Sequence, residues 1–136
     1  MTDATIIVTG LGRCGTSLIM QMLAVGGLPM VGIYPDFESE AAEHERGAAP
    51  SLWLSRTAGR AVKVLDPHLV PPPAGGAYRA IWLTRDLDQQ AASQIKLIGA
   101  APSRSMRRGT AQSLRRDEPR ARHAVEAVAA AAVATD

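Results

Sequence analysis

Residues 5–29 read TIIVTGLGRCGTSLIMQMLAVGGLP, and the organisation of the chain follows from them. Thr5–Thr9 is a short β-branched run without polar alternation, the pattern of a strand buried on both faces of a parallel sheet. A glycine-rich turn follows over Gly10–Gly15, and Thr16–Val25 predicts a helix that Gly26, Gly27 and Pro29 bring to a stop. Gly10, Gly15 and the hydroxyl pair Thr16-Ser17 have the spacing of the phosphate loop G-x-x-x-x-G-K-S/T. In that loop successive backbone N–H groups and a helix N-terminus converge on an anion. The lysine position is Thr16 here, so the side chain that would reach the β/γ-phosphates of ATP is missing. A cation stands three residues earlier, at Arg13.

Two further strands are predicted downstream. Ala61-Val-Lys-Val-Leu65 is a second buried run, stopped by Asp66-Pro67, and Arg79-Ala-Ile-Trp-Leu-Thr84 is a third. Between the first helix and the second strand, the acids Asp36, Glu38, Glu40, Glu43 and Glu45 sit among alanines. That composition predicts a mobile acidic segment, then a short helix near Leu52–Thr57. The tract 71–76, PPPAGG, is a loop on composition. After Thr84, Asp86 occupies an N-cap position with Gln89 three residues on, predicting a helix over Leu87–Leu97 that ends near Gly99. Past Pro102 comes an arginine-rich tract (Arg104, Arg107, Arg108, Arg115, Arg116, Arg120, Arg122), and Ala121–Ala134 predicts a closing alanine-rich helix. No internal repeat is present.

Strand, glycine turn, helix, strand, loop, strand, helix is the order of a parallel α/β sheet. Ligands of such sheets bind beyond the carboxyl ends of the strands. The segments after Thr9 and after Thr84 both fall on that edge.

The 136 residues suit a single domain. With 46% hydrophobic and 21% charged residues the chain reads as globular, and with only 4% aromatic residues its core must be mainly aliphatic. A net charge of +2 suits an anionic ligand but is too small to demand nucleic acid. The arginine tract also lacks interleaved aromatics for base stacking. The single cysteine, Cys14, excludes an internal disulfide and a multi-cysteine metal site. The N-terminus has no basic n-region, and the apolar stretch Leu18–Met30 is too short to span a bilayer. The expectation is a cytoplasmic protein that engages neither membrane nor nucleic acid.

The stretch 6–29 resembles the 5′-phosphosulfate-binding loop of sulfotransferases, which use 3′-phosphoadenosine 5′-phosphosulfate (PAPS). That loop places a basic residue, a serine, a glycine and two hydroxyl residues in succession after a glycine or proline. Gly12, Arg13, Gly15, Thr16 and Ser17 match it, and Cys14 stands for the serine. The stretch 78–96, YRAIWLTRDLDQQAASQIK, is similar to the family's 3′-phosphate anchor, an arginine ending a strand and a serine eight residues later. Arg85 and Ser93 occupy those positions. Arg60-Ala-Val-Lys63 is similar to the family's strand ending in lysine, and Lys63 is one of only two lysines. Together these segments look most like bacterial sulfotransferase-family proteins, over residues 5–99.

The resemblance implies a three-layer α/β fold of the P-loop type and transfer of a sulfuryl group from PAPS to a hydroxyl or amine of a small-molecule or glycan acceptor. It implies that Arg13 and Lys63 act on the transferring group. Gly12, Arg13, Cys14, Gly15, Thr16 and Ser17 would hold the 5′-phosphosulfate, and Arg85 and Ser93 the 3′-phosphate, with no metal required. The histidine base of the cytosolic enzymes would fall at Leu65 and is missing. His68 lies close by, and other branches use a glutamate, which leaves Asp36–Glu45 open. The family's later strands and its Arg-Lys-Gly segment have no clear counterpart in the basic and alanine-rich stretch 103–136. Two other readings therefore stay open: a non-catalytic nucleotide-binding or assembly module completed by an oligomer or partner, and a small-molecule or nucleotide kinase.

Overall fold

The computed structural model describes residues 4–10, 15–84, 89, 91, 104–128 and 130–135. In chain order its elements are β1 (Thr5–Gly10), α1 (Thr16–Val25), α2 (Glu40–Ala48), α3 (Pro50–Thr57), β2 (Ala61–Leu65), β3 (Tyr78–Thr84), α4 (Arg104–Glu126) and β4 (Ala130–Thr135). The four strands form one sheet in the order β2-β1-β3-β4. Every pairing is parallel, with Val8 opposite both Lys63 and Ile81, and Trp82 opposite Val133. The chain is thus an α/β protein built on a small parallel sheet.

β1, β2 and β3 are rich in β-branched, aliphatic and aromatic residues, and side chains of both their faces are buried. Ile7, Val62, Val64, Ala80 and Trp82 point to one face and pack with Trp53 of α3, Ala42 of α2, and Ala111, Leu114, Ala121 and Val125 of α4. Val8, Ala61 and Leu83 point to the other face and pack with Met20, Ile19 and Leu23 of α1 and with Phe37. Trp53 and Trp82 are the largest fully buried side chains, and each contributes about 1.5–3 kcal/mol or more through the apolar area it removes from water. Thr5 and Thr57 tie β1 to α3 through a hydroxyl–hydroxyl bond of 3.1 Å, while the Thr57 hydroxyl donates to the Trp53 carbonyl at 2.9 Å.

The free edge of β2 is flanked by residues 29–31: Ala61 N donates to Pro29 O and Val31 N to Ala61 O, each at 2.9 Å. The turn that follows depends on Gly32, whose φ is +87° and whose position for a Cβ lies 2.6 Å from the Phe37 carbonyl carbon and oxygen. Only glycine fits that backbone and that space.

Two sequence expectations are corrected. The acidic segment contains a regular helix, α2, with Ser39 as its N-cap; the Ser39 hydroxyl accepts from Ala42 N at 3.2 Å, and Glu40 and Glu43 stand in the first turn. The closing alanine-rich stretch is not one helix. A 23-residue helix, α4, takes in the arginine tract and ends at Glu126, and Ala130–Thr135 is a strand on the open edge of β3. Alanine's helix preference is worth less than 1 kcal/mol per residue, and ladder pairing to an open edge overrides it. Arg108, Arg115, Arg116 and Arg120 are exposed on α4, the solvated face of an amphipathic helix. The helix expected over Leu87–Leu97 lies outside the described residues, apart from Gln89 and Ala91, which are helical. Among the described residues no helix is long and apolar enough to cross a membrane.

Candidate functional site

Parallel pairing brings the carboxyl ends of β1, β2 and β3 to one edge, at Gly10, Leu65 and Thr84. Asp66 N donates to Gly10 O at 3.0 Å, so the chain leaving β2 is fastened to the chain leaving β1. Helix α1 starts a few residues beyond Gly10. Its N-cap, Gly15, is left-handed with φ 94°, and no residue of the first turn is acidic. Such a helix start presents backbone N–H groups and the positive end of its dipole together.

Lys63 meets this helix start. Its strand is on the α1 face of the sheet at that position, and its Nζ donates to Ser17 Oγ at 2.9 Å. On its other side Nζ lies 3.5 Å from Glu38 Oε1. The Lys63 side chain is only 5% exposed, and a buried ammonium is stable only with partners of this kind. Beta-branched neighbours fix the strand, the strand fixes Lys63, and Lys63 joins the helix start to Glu38. Thr16, beside Ser17, is buried.

Glu38 is held in place by its own loop. Glu38 N donates to Asp36 Oδ1 at 3.1 Å, and Phe37 N donates to Ile33 O at 2.9 Å. Gln21, one turn along α1 from Ser17, donates from Nε2 to Pro35 O at 2.8 Å. Phe37 adopts φ +54° with its ring buried, and Asp66 adopts φ +48°. Left-handed backbone at a bulky residue carries a cost of about 1–3 kcal/mol that the surrounding packing must offset. Both strained residues directly border the Lys63–Glu38 pair or its strand.

A cavity of about 570 Å³ opens beside Lys63, between the start of α2 and the loop that leaves β2. Arg46 braces its wall: the buried guanidinium donates from Nε to Val70 O at 2.9 Å and forms a fork on Glu43 at 3.1 and 3.3 Å. His68 does not belong to this site. Its Nε2 faces Asp117 Oδ2 of α4 at 3.9 Å, and it does not line the cavity.

Of the residues singled out from sequence, the structure brings Ser17 and Lys63 together and places Gly15 and Thr16 at the same helix start. Gly12, Arg13, Cys14, Arg85 and Ser93 lie outside the described residues. Arg46 is what the sequence reading did not single out, and Glu38 is one of several acids in the stretch Asp36–Glu45 that it left open without choosing among them. The available signal was Lys63 itself, a charge inside a buried strand that needs a carboxylate within reach. Among the described residues no cluster of three or more His, Cys, Asp or Glu side chains is arranged to hold a metal ion.

What fold and site define is an α/β protein with a cationic, hydroxyl-bearing helix start at the carboxyl edge of a parallel sheet and a cavity alongside. Compared with known proteins, the chain matches no family model, no curated protein and no solved structure.

Proposed function

We propose that the chain is a sulfotransferase-like enzyme of three-layer P-loop type, which binds PAPS and transfers its sulfuryl group to a hydroxyl or amine of a small acceptor. The observation that carries this reading is the Lys63–Ser17 bond of 2.9 Å at the start of α1. The lysine absent from the phosphate loop itself is thereby supplied from the neighbouring strand.

The described donors suit an oxyanion: a helix start without acids, the hydroxyl of Ser17, and the ammonium of Lys63. PAPS, when bound, supplies an activated sulfuryl group; the acceptor oxygen or nitrogen bonds to sulfur as the bond from sulfur to the 5′-phosphate oxygen breaks, its electron pair leaving with 3′,5′-adenosine bisphosphate (PAP). Gly12, Arg13, Cys14, Gly15, Thr16 and Ser17 would hold the 5′ end, and Arg85 and Ser93 the 3′-phosphate. Lys63 and Arg13 hold positive charge where negative charge develops, a role whose removal typically costs about 10²–10³ in rate. The Glu38 carboxylate, 3.5 Å from Lys63 Nζ, takes the proton from the acceptor. Positioning and charge stabilisation supply the catalysis, as in phosphoryl transfer.

Calorimetric titration with PAP, with ATP–magnesium in parallel, tests this. PAP binding without ATP–magnesium binding is the expected result. The reverse ranking would replace the proposal with a kinase.

A further inference from the structure

Helix α1 has no charged residue on any side. Its sequence, TSLIMQMLAV, carries none, and residues 14–35 as a whole contain no Asp, Glu, Lys, Arg or His. A helix so apolar all round belongs in an interior, yet only Thr16 and Met20 of α1 are buried. Leu18, Met22 and Val25, at i, i+4 and i+7, form one stripe on its outer side and are 61%, 61% and 90% exposed. The loop after α1 extends this stripe. Gln21, a helix-surface neighbour of Leu18 and Val25, donates from Nε2 to Pro35 O at 2.8 Å and so holds the loop beside them. On that loop Ile33 and Tyr34 are 80% and 71% exposed. Five of the eight exposed large apolar side chains among the described residues thus gather here, and none of the five lines the cavity beside Lys63.

The area and the absence of charge say what covers this face. At about 100 Å² apiece the five side chains offer roughly 500 Å² of apolar surface. That is the apolar share of the about 800 Å² that each partner gives to a standard stable interface. A twofold axis sets a patch against itself, so a charged patch would meet its own sign, whereas this one is self-complementary. A lipid surface fits less well. Helices that lie on membranes rely on Lys and Arg beside the apolar face; residues 14–45 contain neither, and the nearest charges downstream are the acids Asp36, Glu38 and Glu40.

We propose that this face binds a second copy of the chain. Helix α1 packs on α1 of the other copy across a twofold axis, with Leu18, Met22 and Val25 at the seam and Ile33 and Tyr34 flanking it. This dimer does not depend on which ligand the helix start holds.

Sedimentation velocity of the full chain, from micromolar to near-millimolar concentration, tests this. The expected result is a rise from the 14.4 kDa monomer to twice that mass, little changed in high salt because the seam holds no charge. In a mixture of isotope-labelled and unlabelled chains, intermolecular NOEs are expected at the methyls of Leu18, Met22 and Val25. Met22→Lys and, separately, Val25→Lys place an unpaired cation at the seam twice per dimer. Each should weaken dimerisation about a hundredfold or more, with the circular dichroism of the dilute protein unchanged. A mass that stays monomeric at every concentration overturns the proposal. So does a dimer whose intermolecular NOEs come only from other residues, or one that both variants leave intact. The NOEs are read on the unsubstituted chain and decide the matter even where a variant fails to fold. Flotation with vesicles of phosphatidylcholine and phosphatidylglycerol is run in parallel: monomers that bind them, with Met22→Lys abolishing the binding, assign the face to a lipid surface and overturn the dimer.

Discussion

The ammonium of Lys63 donates to the hydroxyl of Ser17 across 2.9 Å, joining residues 46 positions apart in the chain. This bond ties the second strand to the first turn of α1. It also sets the charge of the site, since the strand delivers a cation to a helix start whose first turn has no acidic residue.

Lys63→Met keeps the aliphatic stem and removes the charge. Its carboxylate partner among the described residues, Glu38, has a side chain 59% exposed, so the carboxylate left behind is solvated. Replacing a buried charge by an apolar isostere is neutral or stabilising in such a setting. The expected outcome is an unchanged or raised melting temperature together with PAP affinity reduced about tenfold or more. Calorimetry alongside circular dichroism separates the two effects, and unchanged PAP affinity would detach Lys63 from the ligand.

Arg46→Met should destabilise the protein by about 1–3 kcal/mol, because it leaves the Val70 carbonyl and Glu43 without their shared donor. Arg46→Lys should recover only part of that loss, since an ammonium cannot reproduce the guanidinium fork. Urea denaturation of the three proteins gives the ranking directly.

Gly32 and Gly59 both have positive φ, +87° and +71°, but only at Gly32 would a Cβ collide with backbone, 2.6 Å from Phe37. Gly32→Ala combines left-handed strain with that clash, and a loss of at least 1–3 kcal/mol is expected. At Gly59 a Cβ meets nothing within 4 Å, so Gly59→Ala should cost about 1 kcal/mol, from φ alone. Equal losses at the two sites would mean that the 32–37 turn can shift to make room.

Burial pushes the Tyr78 phenol up from 10.0 to about 12; its hydroxyl donates to the Pro73 carbonyl. The folded state therefore holds the neutral phenol more firmly than the unfolded chain does. The resulting stability is fully present below pH 10 and falls as pH rises from about 10 towards 12. Tyrosinate absorbance should show this ionisation near pH 12, coinciding with loss of tertiary structure, and Tyr78→Phe should flatten the fall in stability across that window.

How far the sequence foretold the structure depends on which force set each element. Helix α1 and strand β2 fall at Thr16–Val25 and Ala61–Leu65, as predicted, and β1 and β3 differ by one residue at one end, because uninterrupted apolar runs between glycines and prolines dominate there. Helix α2 escaped because one of its two buried residues is an arginine, and a pattern reading counts Arg46 as solvent-facing. Strand β4 escaped because what stabilises it is the open edge of β3, a partner found elsewhere in the chain. At the site, the motif residues Ser17 and Lys63 were legible separately. Their contact was not, and Glu38 was hidden in a stretch that looked like unstructured acid.

The position of β1 has a consequence for the growing chain. Ile6 pairs with Ala61 and Arg79, 55 and 73 positions further on. At a synthesis rate of about 5–20 residues per second, this interior strand waits roughly 4–15 seconds between its own emergence from the ribosome and that of its second neighbour. Throughout that interval Ile7 and Val8 have nothing to pair with but other sticky segments, including those of neighbouring nascent chains. Long-range parallel pairing of this kind also closes slowly once all its parts exist. Yield in the cell should therefore respond to translation speed and chaperone supply more than to the stability of the finished sheet, because of the two interior strands the first made is the one that waits longest for company.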